Sequence, residues 1–151
     1  MLVSLVPGLG FKAESSSSSS SPAEPPPGVA APASVVSELQ AALALAVQRF
    51  EAKDVDGVLV YVSEQYRTGP FTKNAVRQDL IGIYAVYDMV RARVRIDDVR
   101  MVGDHAWVYS TGEITGRLPW VGTWVRFLAW QRELEVARRE ASGWRLFGYQ
   151  Q

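Results

Sequence analysis

The chain has 151 residues, 48% of them hydrophobic and 21% charged, with 16 basic and 16 acidic side chains and a formal net charge of zero. That is the composition of one ordinary globular domain, and the missing basic surplus argues against nucleic acid as a partner, local clusters such as Arg91, Arg93, Arg95 and Arg100 aside. The absence of cysteine excludes disulfides, thiolate metal sites and a cysteine nucleophile.

The N-terminal residues 1–33 read as a tail. Ser15 to Ser21 is an unbroken serine run, followed closely by Pro22, Pro25, Pro26, Pro27 and Pro32. Such a segment buries too little apolar surface to offset its ordering entropy, so the composition predicts a disordered linker. Met1 to Phe11 is apolar but lacks a basic start and is interrupted by Pro7 and Gly8. It is either the remnant of an export signal on a Ser/Pro tether or a tail without function. The tether tips the reading towards an exported or cell-envelope protein, with the cytoplasm as the alternative. No stretch is long and apolar enough to span a bilayer.

Residues 34–151 carry the folded domain. Ser34 is a suitable N-cap, and Val36, Leu39, Leu43, Ala46, Val47 and Phe50 recur at helical spacing as one apolar stripe. Asp54 caps a second, shorter helix carrying Val55, Val58, Leu59 and Val62, weakened by Gly57. A short strand over 64–68 and a Gly69-Pro70 turn lead to Thr72. This residue caps a third helix with Val76, Leu80, Ile83, Tyr84 and Tyr87 on one face.

From Val90 the period changes to two. Val90, Ala92, Val94 and Ile96 alternate with Arg91, Arg93, Arg95 and Asp97, the pattern of a strand with one wet face. Gly103-Asp104 is a hairpin turn. His105 to Thr115 forms the next strand, with Trp107, Tyr109, Thr111 and Glu113 on one side. Trp120 to Arg138 is a long strand whose length implies a bulge. Ala141-Ser142-Gly143 turns the chain into a closing strand over 144–149. Three helices followed by an antiparallel sheet predict an α+β cone, in which the helices close one face of a strongly curved sheet.

Three segments resemble the nuclear transport factor 2-like superfamily, which includes SnoaL-like cyclases and ketosteroid isomerases. They are Phe50-Glu-Ala-Lys-Asp-Val-Asp-Gly-Val-Leu59, Tyr61-Val-Ser-Glu-Gln-Tyr66 and Arg138-Arg-Glu-Ala-Ser-Gly-Trp-Arg-Leu146. The resemblance implies the cystatin-like cone, a hydrophobic pocket and frequent pairing sheet to sheet. The family's catalytic residues do not carry over. Gly148 and Gln150 stand where many members place histidines, and no carboxylate lies beyond Glu64 on the first short strand. Between Trp107 and Arg126 only Glu113, Arg117 and Arg126 are available for the Asp-Arg-Asp chemistry of related epoxide hydrolases.

The predicted pocket residues are Tyr66, Tyr84, Tyr87, Trp107, Tyr109, Glu113, Trp124, Arg126 and Trp130. Glu113, on the Trp107–Tyr109 face, is the one candidate general base; its bland alternative is a rim glutamate paired with Arg126. Arg126 and Arg132 share the Trp124–Trp130 side and either clamp an anion or stack on tryptophan. His105, the only histidine, sits in a turn, and no metal site or cofactor is expected. Val121, Val125, Phe127 and Ala129 form a second apolar face on the long strand, which predicts a homodimer through the outer sheet face. Two functions fit. The first is a non-catalytic binding or interaction domain, whose aromatic pocket holds a small, mostly apolar ligand or is filled by its own side chains. The second is a cofactor-independent isomerase, cyclase or dehydratase using Glu113 as base.

Overall fold

The computed structural model describes residues 26–150. Helix α1 (Ala33–Glu51) begins directly after Pro32, whose carbonyl accepts the first N–H bonds from Val35 and Val36. No side chain caps it, and the N-cap position is Pro32, two residues before the predicted Ser34. Asp54 does cap α2 (Val55–Leu59), accepting the Gly57 N–H at 2.9 Å. The hairpin β2 (Arg67–Thr68) and β3 (Phe71–Thr72) turns at Gly69-Pro70 and feeds α3 (Lys73–Val86).

The long strands follow: β4 (Met89–Val102), β5 (His105–Arg117), β6 (Trp124–Glu140) and β7 (Gly143–Leu146). A short β1 (Val29–Ala30) completes an antiparallel sheet ordered β1-β4-β5-β6-β7. The three helices pack on this curved sheet, as the pattern of the sequence predicts. Two details differ. The predicted tail reaches residue 33, yet Val29 and Ala30 pair with Met101 and Arg100, because an edge strand needs only backbone partners. Residues 1–25 of that tail lie outside the described residues. The ends of the last two strands are also trimmed. Leu118 to Thr123 form a turn rather than strand, and past Leu146 the Phe147 and Gly148 N–H groups both bond the Val136 carbonyl.

Bulges set the faces. The register shifts between Ile96 and Asp98 on β4, and twice between β5 and β6, at Ser110/Gly112 and at Ile114/Thr115. On β4 and β5 the side facing the helices carries Val90, Ala92, Val94, Val99, Ala106, Val108 and Ile114. The buried residues form two clusters. One gathers Phe50, Val58, Leu59, Val76, Leu80 and Ile114 beneath α2 and α3; the other joins Leu39 to Val99, Ala106, Ala137 and Trp144.

The predicted dimer strip is not continuous. The second bulge leaves Phe127 as the extra residue of β6 and turns it to the helix side, where its ring stacks on Tyr87 at 4.6 Å. Val125 pairs with inward-facing Gly116, Ala129 stands opposite Glu113 on the outer face, and Val121 lies in the exposed turn.

Four carboxylates tie elements together with pKa values held below the ordinary range. Glu38 on α1 accepts from the Trp144 indole at 2.8 Å and from Arg139, and both hold its pKa down. The Ser63 hydroxyl and Arg138 do the same for Glu140, Arg117 for Asp88, and Thr111 and Arg95 for Asp97. At these four groups the folded chain binds fewer protons than the unfolded one, and they outnumber Asp79, whose carboxyl burial pushes up and which acts in the opposite sense. The stabilisation is complete above the ordinary values of 3.8 to 4.5 and is lost as pH falls through the lowered ones. A melting curve taken across pH should be flat down to that range and decline below it; a melting point that rises on acidification would contradict this assignment.

Candidate ligand cavity

The middle of α1 bridges the two buried clusters without being fully covered. Leu43, Ala46 and Val47 belong to its inward stripe, yet they are only half-buried. They border a cavity of about 150 Å3 between α1 and the concave side of the sheet. Its other walls are Val58 and Val62, then Ala92, Val94 and Ile96 of β4 and Val108 and Ile114 of β5, with Ala137 of β6 and Trp144 and Leu146 of β7 closing the end. Polar groups enter at four points, namely Tyr61, Ser110, Glu135 and Arg145. Ser110 is buried and accepts the Trp130 indole N–H at 3.1 Å.

None of the predicted pocket residues lines this cavity. Trp107, Tyr109, Glu113, Trp124 and Arg126 project from the opposite, outer face, where Glu113 meets Arg126 at 3.5 Å and Arg91 stacks over Trp124. Glu113, Arg126 and Trp130 do come together, with Arg93, Thr111 and Gln131, at a solvent-open groove on the outer side of the sheet. Trp130 is buried against the core. The three tyrosines are packing residues. Tyr66 is buried, Tyr84 donates to the Phe50 carbonyl at 2.8 Å, and Tyr87 stacks on Phe127. Burial pushes the Tyr66 and Tyr84 phenols up, so both stay protonated. Glu113 therefore cannot act on a molecule held in the cavity.

The reason lies in side-chain volume. On β5 the inward positions include Ala106, Ser110, Gly112 and Gly116, all small. A Cβ on Gly116 would collide with the Tyr87 ring, and one on Gly112 would lie 2.5 Å from the Trp130 indole and 2.7 Å from the Arg93 carbonyl. Bulk on the concave side is thus supplied by neighbouring elements, and the aromatic residues of β5 face outward. Sequence reasoning missed the whole wall; its one carboxylate is Glu135, which pairs with Val108 and shares its inward direction. The alternation of Glu133, Glu135 and Ala137 with Leu134 and Val136 was the available signal. Among the described residues, no group of three or more acidic or histidine side chains is placed to hold a metal, and no helix is long and apolar enough to cross a membrane.

No protein-family profile matches the sequence, and no curated protein matches it significantly. Solved structures do match its fold. A conserved protein from Planctomyces limnophilus is 13% identical with a TM-score of 0.64, covering 76% of this chain and 92% of its own. A candidate dehydratase of the NTF2-like family from Streptomyces avermitilis is 18% identical with a TM-score of 0.61, covering 78% and 95%. A ketosteroid isomerase-like protein from Erwinia carotovora atroseptica is 20% identical with a TM-score of 0.55, covering 74% and 90%. The chain has the fold of the nuclear transport factor 2-like proteins.

Proposed function

We propose that this nuclear transport factor 2-like chain is a binding domain that holds a small, mostly apolar molecule between α1 and the sheet. One observation carries the reading: an aliphatic cavity of about 150 Å3 that the protein's own side chains do not fill. An apolar cavity of roughly that volume accepts a one-ring hydrocarbon. The half-buried stripe of α1 would gain cover from such a guest, and the gain scales with the apolar area removed from water.

A second reading has its own observation. Glu135 sets a carboxylate in the cavity wall, where acid–base chemistry of the kind suggested by the names of the dehydratase and isomerase-like neighbours would need one. On that reading Glu135, not Glu113, is the acid–base group.

Native mass spectrometry of the full chain with indole as probe tests the binding reading. One indole per chain is expected, with affinity changed less than about threefold in Glu135→Gln, since a neutral aromatic guest draws mainly on the aliphatic wall. Failure to retain indole at millimolar concentration would sink it. The same spectra report stoichiometry. We expect two copies, packed through the outer sheet face around Tyr109, Ala129 and Leu134 rather than through the broken strip.

A further inference from the structure

The hairpin joining β5 to β6 is the most exposed apolar feature among the described residues. From Leu118 to Val125 the sequence is Leu-Pro-Trp-Val-Gly-Thr-Trp-Val, without a charge, and arginines bracket it at 117 and 126. Trp120 is 103% exposed and Val121 70%. The tip is nonetheless tightly built. Val121 N–H donates to the Pro119 carbonyl at 2.9 Å, Gly122 N–H to Leu118 at 3.0 Å, and Leu118 N–H to Thr123 at 2.9 Å. The first of these bonds closes a γ-turn centred on Trp120, whose φ is 73°. That form of γ-turn is rare and strained, and strain of this kind is kept where function uses it. A glycine would sit there without strain; a tryptophan pointing wholly into water is a double cost.

The surroundings say what would cover it. Met89 pairs with Arg117 and Arg117 with Trp124, so Met89 and Trp124 flank the tip on the outer face, 40% and 36% exposed. Arg91 lies over the Trp124 ring at 4.2 Å. Along the same face, Arg91, Arg93, Arg95, Arg117, Arg126 and Arg132 outnumber Asp88, Asp97, Asp98 and Glu113 by two; four of the arginines are ion-paired with those carboxylates, so the local surplus is two positive charges on a chain of zero net charge.

We propose that this tip is a lipid-surface anchor: Trp120 and Val121 enter the headgroup–acyl boundary of an anionic bilayer, with Arg91, Arg117 and Arg126 at its base towards the phosphates and the Tyr109–Ala129–Leu134 region of the face left to the second copy. Tryptophan prefers that boundary, where its ring is apolar and its N–H stays wet. Basic residues near the surface strengthen attachment to anionic lipid. A protein partner fits less well, because a stable interface buries about 800 Å2 per side and a six-residue turn offers far less. One small insertion gives reversible, salt-sensitive binding rather than permanent attachment. The inference is independent of what occupies the cavity.

Vesicle co-sedimentation of the full chain tests it, using equal parts phosphatidylglycerol and phosphatidylcholine against phosphatidylcholine alone. Wild type should sediment with the anionic vesicles and be released by high salt. Trp120→Gly relieves the positive φ, so its melting temperature should hold or rise while its partition falls about tenfold. Trp120→Phe should retain most of the binding. Equal partition of wild type and Trp120→Gly overturns the proposal, as does no sedimentation of wild type. A change in subunit stoichiometry of Trp120→Gly by native mass spectrometry also overturns it, by assigning the tip to a protein contact.

Discussion

Leu80→Ala is expected to lower the unfolding free energy by about 3 kcal/mol and the melting temperature by roughly 10 °C. Leu80 is 0% exposed on α3, in the cluster with Val76, Ile83, Phe50, Tyr66 and Ile114. Its truncation forfeits the transfer free energy of the removed carbons and leaves a void that close-packed neighbours fill only in part. Leu43→Ala on α1 makes the informative comparison. Leu43 is half-buried and already faces empty space, so its loss merely widens an existing cavity and should cost about 1 kcal/mol. Urea titration reads both, with the slope unchanged if only the native state is affected. Equal costs for the two variants would mean that the packed and hollow halves of the domain are misassigned.

The order of elements was legible because it is written in period. The stripe from Val36 to Phe50, the Asp54 cap, the turns at Gly69-Pro70, Gly103-Asp104 and Ser142-Gly143, and the switch to a two-residue period at Val90 each have a local physical cause. Which face of the sheet looked inward was not legible. Alternation separates two sides of a strand without telling them apart when both carry apolar groups. On β5 the aromatic side looked like the interior, yet space beneath the helices was already claimed by Tyr87 and Trp130, leaving room there only for Gly116 and Gly112. The bulge at Ile114/Thr115 then moved Phe127 off the strip it was expected to share with Ala129. Bulges arise from how strands must bend to close a cone, a property of the assembled sheet rather than of any window of sequence. Glu135 was passed over for a related reason: a charge is read as solvent-facing, whereas its inward direction follows from its pairing with Val108 across the bulged sheet.

Ala46→Phe should abolish binding of a one-ring apolar guest, weakening it at least tenfold, while leaving the fold intact or making it more stable. Ala46 sits on α1 between Leu43 and Val47, facing the cavity across from β4, so an added ring would occupy the volume proposed for the ligand. Overpacking of a filled core costs about 1–3 kcal/mol, but filling a void commonly adds about 0.5–2 kcal/mol, and a space of about 150 Å3 places this position in the second case. Ala129→Phe is the matched control. It adds the same ring on the outer face opposite Glu113 and should leave affinity for the guest unchanged. Thermal-shift titration with indole measures stability and binding together. The two readings separate cleanly, because a variant that binds less only through partial unfolding would also melt lower, whereas Ala46→Phe is expected to melt at or above wild type. Undiminished affinity in Ala46→Phe, with its melting point preserved, would place the guest elsewhere. The open outer groove of Arg93, Glu113 and Arg126 would then be the next surface to test, and there Ala129→Phe, not Ala46→Phe, would be the variant that interferes.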